Sequence, residues 1–182
     1  MSTVAREVAV RVFAGELRDA EHKYKEGDDE RSPAYVLLPT GDRANRVFVV
    51  GTMTEKEDIG EDSEYWRARV VDPTGTFLVY AGQYQAEALD SLREIEPPEY
   101  VAVVGKPDTY EPEEGEVITS IRPESINAVD ADVRDRWIAE TAERTIERIE
   151  SGPLKDRARE QYGREPGDYR DVVVEAVKSL ED

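Results

Sequence analysis

The residue types in this sequence best suited to chemistry lie in one short stretch, Tyr65 to Gln85, "YWRARVVDPTGTFLVYAGQYQ". Two runs rich in β-branched and aromatic residues flank "DPTG", which predicts two strands and a turn. Period-two alternation puts Trp66, Ala68 and Val70 on one face of the first run and Arg67 and Arg69 on the other. In the second run Phe77, Val79 and Ala81 share one face, and Tyr80 and Tyr84 the other. With the apolar faces turned inward, Arg67, Arg69, Tyr80 and Tyr84 stand outside together. Guanidinium and phenol planes on one surface are what base stacking and phosphate contact require. Tyr110, expected at the tip of the acidic loop "KPDTYEPEEGE", is a further candidate, as a lid. A plainer reading stands beside this one: the arginines pair with acidic neighbours, and the tyrosines pack under the N-terminal segment.

Other chemistries find little support. No Gly-rich phosphate loop is present, since "VVGKPDT" and "VVGTMT" have one glycine each. There is no cysteine, hence no disulfide, thiolate or cysteine-based zinc site. The single histidine, His22, sits in the polar run "DAEHKYKEGDDE" and reads as solvated. The expectation is a protein that is not an enzyme, with no cofactor and no metal.

The elements that must position the hairpin are legible in the pattern around it. Val4 to Phe13 alternates and predicts a strand; the polar run after it predicts a loop; Ala34 to Leu38 predicts a second strand. Residues 1–44 thus form an N-terminal β extension packing on the larger body of strands C-terminal to it. Arg46 to Thr54 predicts a long strand bent or bulged at Gly51. Tyr65 to Val71 and Thr76 to Tyr80 are the hairpin strands. "QAEALDSLREIEPPEY" predicts a helix of about ten residues ended by Pro97-Pro98. "YVAVVG" and Val117 to Arg122 supply two more strands. Five strands with a helix between the third and fourth is the order of the OB-fold, a Greek-key barrel, here over residues 45–128. An SH3-like barrel is the alternative, but it normally lacks that helix.

Residues 129–182 predict helices. In "DADVRDRWIAETAERTIERIE" the residues Val133, Trp137, Ile138, Thr141, Thr145, Ile146 and Ile149 recur at spacings of three and four, an amphipathic helix over 131–150. Asp130 is the expected N-cap and Gly152 the stop. Two shorter helices come after it. The apolar stripe needs a partner, either its own barrel or helices of another chain.

The chain has 182 residues, with 42 Asp+Glu against 24 Lys+Arg and a formal net charge of −18. Only 6 of the cations are lysine. Such acidity ordinarily opposes nucleic-acid binding. A composition poor in lysine and rich in acid is also what concentrated salt selects, because the Debye length falls to about 3 Å at 1 M and self-repulsion is screened. A halophilic cytoplasm is the expectation, an ordinary acidic cytosolic protein the alternative. No apolar run approaches the ~20 residues of a membrane span, and "MSTVAREVAV" lacks the apolar core of a signal peptide. A cytoplasmic location with no membrane partner is expected.

The stretch "YVAVVGKPDTYEPEEGEVITSIRPESINAVDADVRDRWIAETAERTIERI" resembles the OB subunits of replication protein A. In those, the last strand ends in an "I-R-P" segment and the chain enters a C-terminal helix that joins a bundle with other subunits. "VVDPTGTFLVYAG" is similar to their turn between strands two and three. Over its full length the chain looks closest to haloarchaeal replication protein A-associated proteins, single-OB companions of a larger subunit. The resemblance implies a role in replication and repair, as part of a complex that binds single-stranded DNA. It also implies that Val133, Trp137, Ile138, Ile146 and Ile149 assemble with the larger subunit, and that Arg67, Arg69, Tyr80, Tyr84 and Tyr110 line the DNA path. A purely structural partner with no DNA contact is the alternative. Where the middle subunit of the eukaryotic complex places a stacking tryptophan late in strand three, this sequence has Gly82, and residues 153–182 are too short for the winged helix the family often carries.

Overall fold

The computed structural model describes residues 8–181. The barrel is built from β5 (Val47–Asp58), β6 (Tyr65–Asp72), β7 (Gly75–Gly82), β8 (Glu99–Glu113) and β9 (Glu116–Ala128). Its order is β5-β6-β7-β9-β8, and β8 pairs back onto β5 to close it. All neighbours run antiparallel except β7 and β9, which meet in parallel at Val79 and Ile121. Helix α2 (Ala86–Glu94) lies between the third and fourth barrel strands. This is the OB-fold order the sequence predicts. The inward faces are as expected: Ala68, Val70, Phe77, Val79 and Ala81 are all buried. Trp66 departs from them. It is only half-buried, with Lys56 Nζ 5.4 Å above its ring and its indole N–H donating to Glu64.

Several boundaries differ for reasons that lie across strands rather than along them. The expected acidic loop after "YVAVVG" is an arm of strand, because Lys106 to Tyr110 pair in register with Ile118 to Arg122. Its partner "VITSI" is strongly β-forming and imposes strand on it; the turn falls at Gly115, where φ is +85°. β9 accordingly runs well past Arg122. In β5 the register shift falls between Met53 and Glu55, not at Gly51. Gly51 serves a close approach instead: a Cβ there would lie 2.6 Å from the Val71 carbonyl oxygen.

The N-terminal segment is more broken than its alternation suggests. The part of the expected strand before residue 8 lies outside the described residues. Only Val10–Arg11, β1, is strand, in parallel with Val47 and Phe48. A short helix, α1 (Ala14–Leu17), which the sequence pattern does not predict, follows directly on the end of the expected strand. Its first amides find acceptors in the barrel: Ala14 N–H donates to Asp72 Oδ2 at 2.8 Å and Gly15 N–H to Thr74 Oγ1 at 2.9 Å. Asp72 Oδ1 meanwhile takes the amides of Thr74 and Gly75 and the Thr74 hydroxyl. The "DPTG" turn therefore closes a hairpin and caps a helix remote in sequence. Burial pushes the Asp72 carboxyl up, while these hydrogen bonds act the other way. The expected polar loop contains β2 (Lys23–Lys25), which pairs with β3 (Ala34–Leu38); β4 (Asp42–Ala44) completes a three-stranded sheet.

Helix α3 (Ala131–Ser151) starts where expected, with Asp130 Oδ1 accepting from Val133 N–H at 2.9 Å. Its stripe is covered by its own chain. Trp137, Ile138 and Ile149 are buried and Ile146 is half-buried; only Val133 is exposed. Trp137 meets Phe13 edge-on, with centroids 5.4 Å apart, and its indole N–H donates to the Phe48 carbonyl at 3.0 Å. Arg148 and Glu16, both buried, pair at 2.9 Å. The chain continues into α4 (Lys155–Tyr162) and α5 (Arg170–Lys178), and Val173 and Ala176 of α5 join the same core as the barrel and α3. The stripe thus packs on the barrel and N-terminal segment of this chain, one of the two partners the sequence allows. Two residues separate β9 from α3, and α3 lies against β5 and β1. No helix among the described residues is long and apolar enough to cross a membrane.

Candidate nucleic-acid interface

The outer face of β6 and β7 carries Tyr65, Arg67 and Arg69 against Gly82, Tyr80 and Leu78, paired in that order. Strand alternation puts these side chains out because their neighbours fill the barrel. Tyr65 and Tyr80 stack, with centroids 5.9 Å apart and planes at 20°. Tyr110 reaches the same face from the β8 arm. Its ring meets Tyr80 at 90° with centroids 6.0 Å apart, and the two hydroxyls lie 2.9 Å apart. The expectation of a loop-tip lid is corrected: Tyr110 is fixed on a strand and closes one end of a three-ring ladder.

Tyr65 escaped selection from sequence, although alternation puts it on the same face as Arg67. What makes it an aromatic platform is Gly82. A Cβ at Gly82 would stand 3.0 Å from Tyr65 Cδ2, so the bare glycine lets the ring settle across the strand. The chain thus places a ring over Gly82 from the neighbouring strand. Burial and the Tyr80 hydrogen bond push the Tyr110 hydroxyl up to about 12; burial also raises that of Tyr65. Both phenols stay neutral at ordinary pH and add no charge to repel phosphate.

Arg67 and Arg69 are each opposite a glutamate of β5, Glu57 and Glu55. Arg67 Nη2 lies 2.8 Å from Glu57 Oε2, and Arg69 pairs with Glu55. The plainer reading of the arginines is therefore part of the structure. These pairs are exposed and worth roughly 0–1 kcal/mol, so an incoming phosphate displaces the carboxylate at little cost. Tyr84 is not in the ladder. β7 ends at Gly82, and Tyr84 lies in the turn before α2, 88% exposed, beside a shallow cavity that Lys106 and Arg122 also line. Arg122, absent from the residues selected by sequence, pairs with Asp108 at 3.4 Å.

No family model matches the chain, and no curated protein matches it. Solved structures do. A chain of a replication protein A heterotrimer bound to single-stranded DNA superposes with a TM-score of 0.55 at 15% identity, covering 78% of this chain and 98% of that one. The likeness is one of fold. A chain of the S. pombe Stn1–Ten1 complex is similar over 61% of this chain and 78% of its own, with a TM-score of 0.53 and 15% identity.

Proposed function

We infer that this chain is a non-catalytic subunit of a complex that binds single-stranded DNA, in the manner of replication protein A, and that its β6–β7 face holds part of the strand. The observation that carries this reading is the ladder of Tyr65, Tyr80 and Tyr110 beside Arg67 on the outer face of an OB barrel. Its rings are stacking surfaces for bases of any sequence, and its arginines are donors for phosphate. The likeness of fold to a subunit of a heterotrimer whose structure contains single-stranded DNA supports the same reading. Roles in replication and repair, a halophilic cell and a larger companion subunit belong to the proposal. Of the residues predicted to assemble with that companion, Val133 is the one left at the surface.

The Arg67–Glu57 and Arg69–Glu55 pairs favour a second reading, in which the subunit only supports a partner that holds the DNA. Fluorescence anisotropy of labelled oligo(dT) with the purified chain in molar KCl separates the two. The first reading expects binding, weakened by Tyr80→Ala roughly 5- to 150-fold, the equivalent of about 1–3 kcal/mol for one lost stacking contact. An intact chain with no measurable affinity establishes the second.

A further inference from the structure

A cleft of about 480 Å³ lies between the N-terminal sheet and the β8–β9 arm, and it concentrates cations in a chain that is otherwise acidic. Lys23, Lys25, Arg31, Lys106 and Arg122 line it, which is half of the lysines of the whole sequence. We propose that the DNA path continues from the tyrosine ladder into this cleft, where Lys25, Arg31 and Lys106 hold the phosphodiester backbone. The proposal rests on the binding reading above and extends it beyond the OB face.

Charge pairing distinguishes this cleft from the rest of the surface. Asp108 serves two cations at once, Lys23 Nζ at 2.6 Å and Arg122 Nε at 3.4 Å. Lys25 Nζ reaches only the backbone carbonyl of Glu30, at 3.5 Å. Arg31 and Lys106 are exposed, and among the described residues neither side chain has an ion pair. Glu30 also lines the cleft, so five cations face two carboxylates, Glu30 and Asp108. On the hairpin face, by contrast, Arg67 and Arg69 each have a glutamate of their own. A groove that leaves cations unpaired in a protein of net charge −18 suits a polyanion.

Continuity with the ladder comes from the β8–β9 arm. Lys106 and Tyr110 are four residues apart on one strand, hence on one face, and Lys106 pairs in register with Arg122. Asp108 lies between Lys106 and Tyr110 on that same face and pairs with Arg122 at 3.4 Å. Lys106 and Arg122 also line the neighbouring cavity at Tyr84, so the two residues join three stretches of surface. Lys23, Lys25 and Arg31 belong to β2 and the turn after it, outside the five-stranded barrel.

The test compares the intact chain with its Lys25→Ala/Arg31→Ala/Lys106→Ala variant, using labelled oligo(dT) of about 6 nucleotides, near the lower end of the range one OB fold covers, and about 20 nucleotides, beyond that range. Anisotropy is recorded across a KCl series. Three lost phosphate contacts lower the slope of log affinity against log salt for the long strand by about 2, at ~0.7 per contact. The short strand, held on the ladder, keeps the wild-type affinity, and Lys25→Arg/Lys106→Arg keeps the wild-type slope. An unchanged slope for the long strand overturns the cleft assignment, and so does an equal loss for both lengths. In either case wild-type binding and its sensitivity to Tyr80→Ala leave the functional reading standing. A wild type that binds neither strand overturns both.

Discussion

Replacing Arg148 by methionine tests whether α3 belongs to its own barrel. The guanidinium sits in a buried network: its Nη2 meets Glu16 Oε1 at 2.9 Å, its Nε donates to Thr40 Oγ1 at 2.9 Å, and its Nη1 to the Arg11 carbonyl at 3.1 Å. Glu16 is 0% exposed, and its other oxygen takes the Thr40 amide and hydroxyl. Methionine keeps most of the stem volume and removes the charge. Glu16 is left buried with hydrogen bonds from one residue and no counter-charge. Breaking a buried pair from one side costs about 3–5 kcal/mol, mostly from the charge left behind. For a chain of this size that lowers the melting temperature by roughly 6–20 °C.

The assay is urea denaturation in fixed KCl, with Arg148→Met, Glu16→Leu and the double variant. The double variant removes both charges; the Arg11 carbonyl is unpaired in it as in Arg148→Met, so relative to that variant it exchanges a lone buried carboxylate for an unpaired Thr40 amide, about 1–3 kcal/mol. It is therefore expected to be more stable than Arg148→Met alone, with a coupling energy well outside the ~0.5 kcal/mol of independent sites. Additive losses, or an Arg148→Met variant within about 1 kcal/mol of wild type, refute the account. The stripe of α3 would then be free to leave the barrel for another chain.

Gly82→Val puts a branched side chain where a bare Cβ already stands 3.0 Å from Tyr65 Cδ2. The expected result is displacement of the Tyr65 ring and loss of about 1–3 kcal/mol of oligo(dT) binding, with folding stability lowered by about 1–3 kcal/mol and the chain still folded; unaltered affinity shows that Tyr65 is no platform. The Tyr162 hydroxyl, which donates to the Leu37 carbonyl and accepts from the His22 amide, is pushed up from 10.0 to about 12 by burial. A folded-state value above the unfolded one gives stability that is complete below the lower value and lost as pH rises through the higher. Wild type should lose stability across that alkaline window, and Tyr162→Phe should lose less, as measured by denaturation at stepped pH.

Legibility from sequence tracked the range of the interaction. Ala68, Val70, Phe77, Val79 and Ala81 could be assigned inward because alternation is local, and the five-strand order came from the same signal. α1 could not be seen, since its amides are satisfied by Asp72 and Thr74, nearly sixty residues away. The β8 arm looked like loop because its own residues are acidic and proline-bearing, while the strand-forming residues lie on its partner. At the site, Tyr80 and Arg67 were legible as outward residues of one hairpin. Tyr65 was not selected, because its role depends on the absence of a side chain on the opposite strand. Tyr110 was selected for the wrong reason, as a mobile lid, when pairing with Ile118 fixes it beside Tyr80.

The arrangement also bears on how so acidic a chain could hold a polyanion. The cations nearest the ladder, Arg67 and Arg69, are matched in register by Glu57 and Glu55, so the hairpin face attracts phosphate weakly before contact. Stacking on neutral rings is a contact term and does not decay with added salt as counterion release does. A site so built is governed by its rings first. On the proposed DNA path, long-range attraction falls to the cleft, where Lys25, Arg31 and Lys106 face no carboxylate of their own. Salt then acts differently on the two parts. Raising KCl should erode the contribution of the cleft while leaving that of the ladder, so short strands lose less affinity than long ones as salt increases.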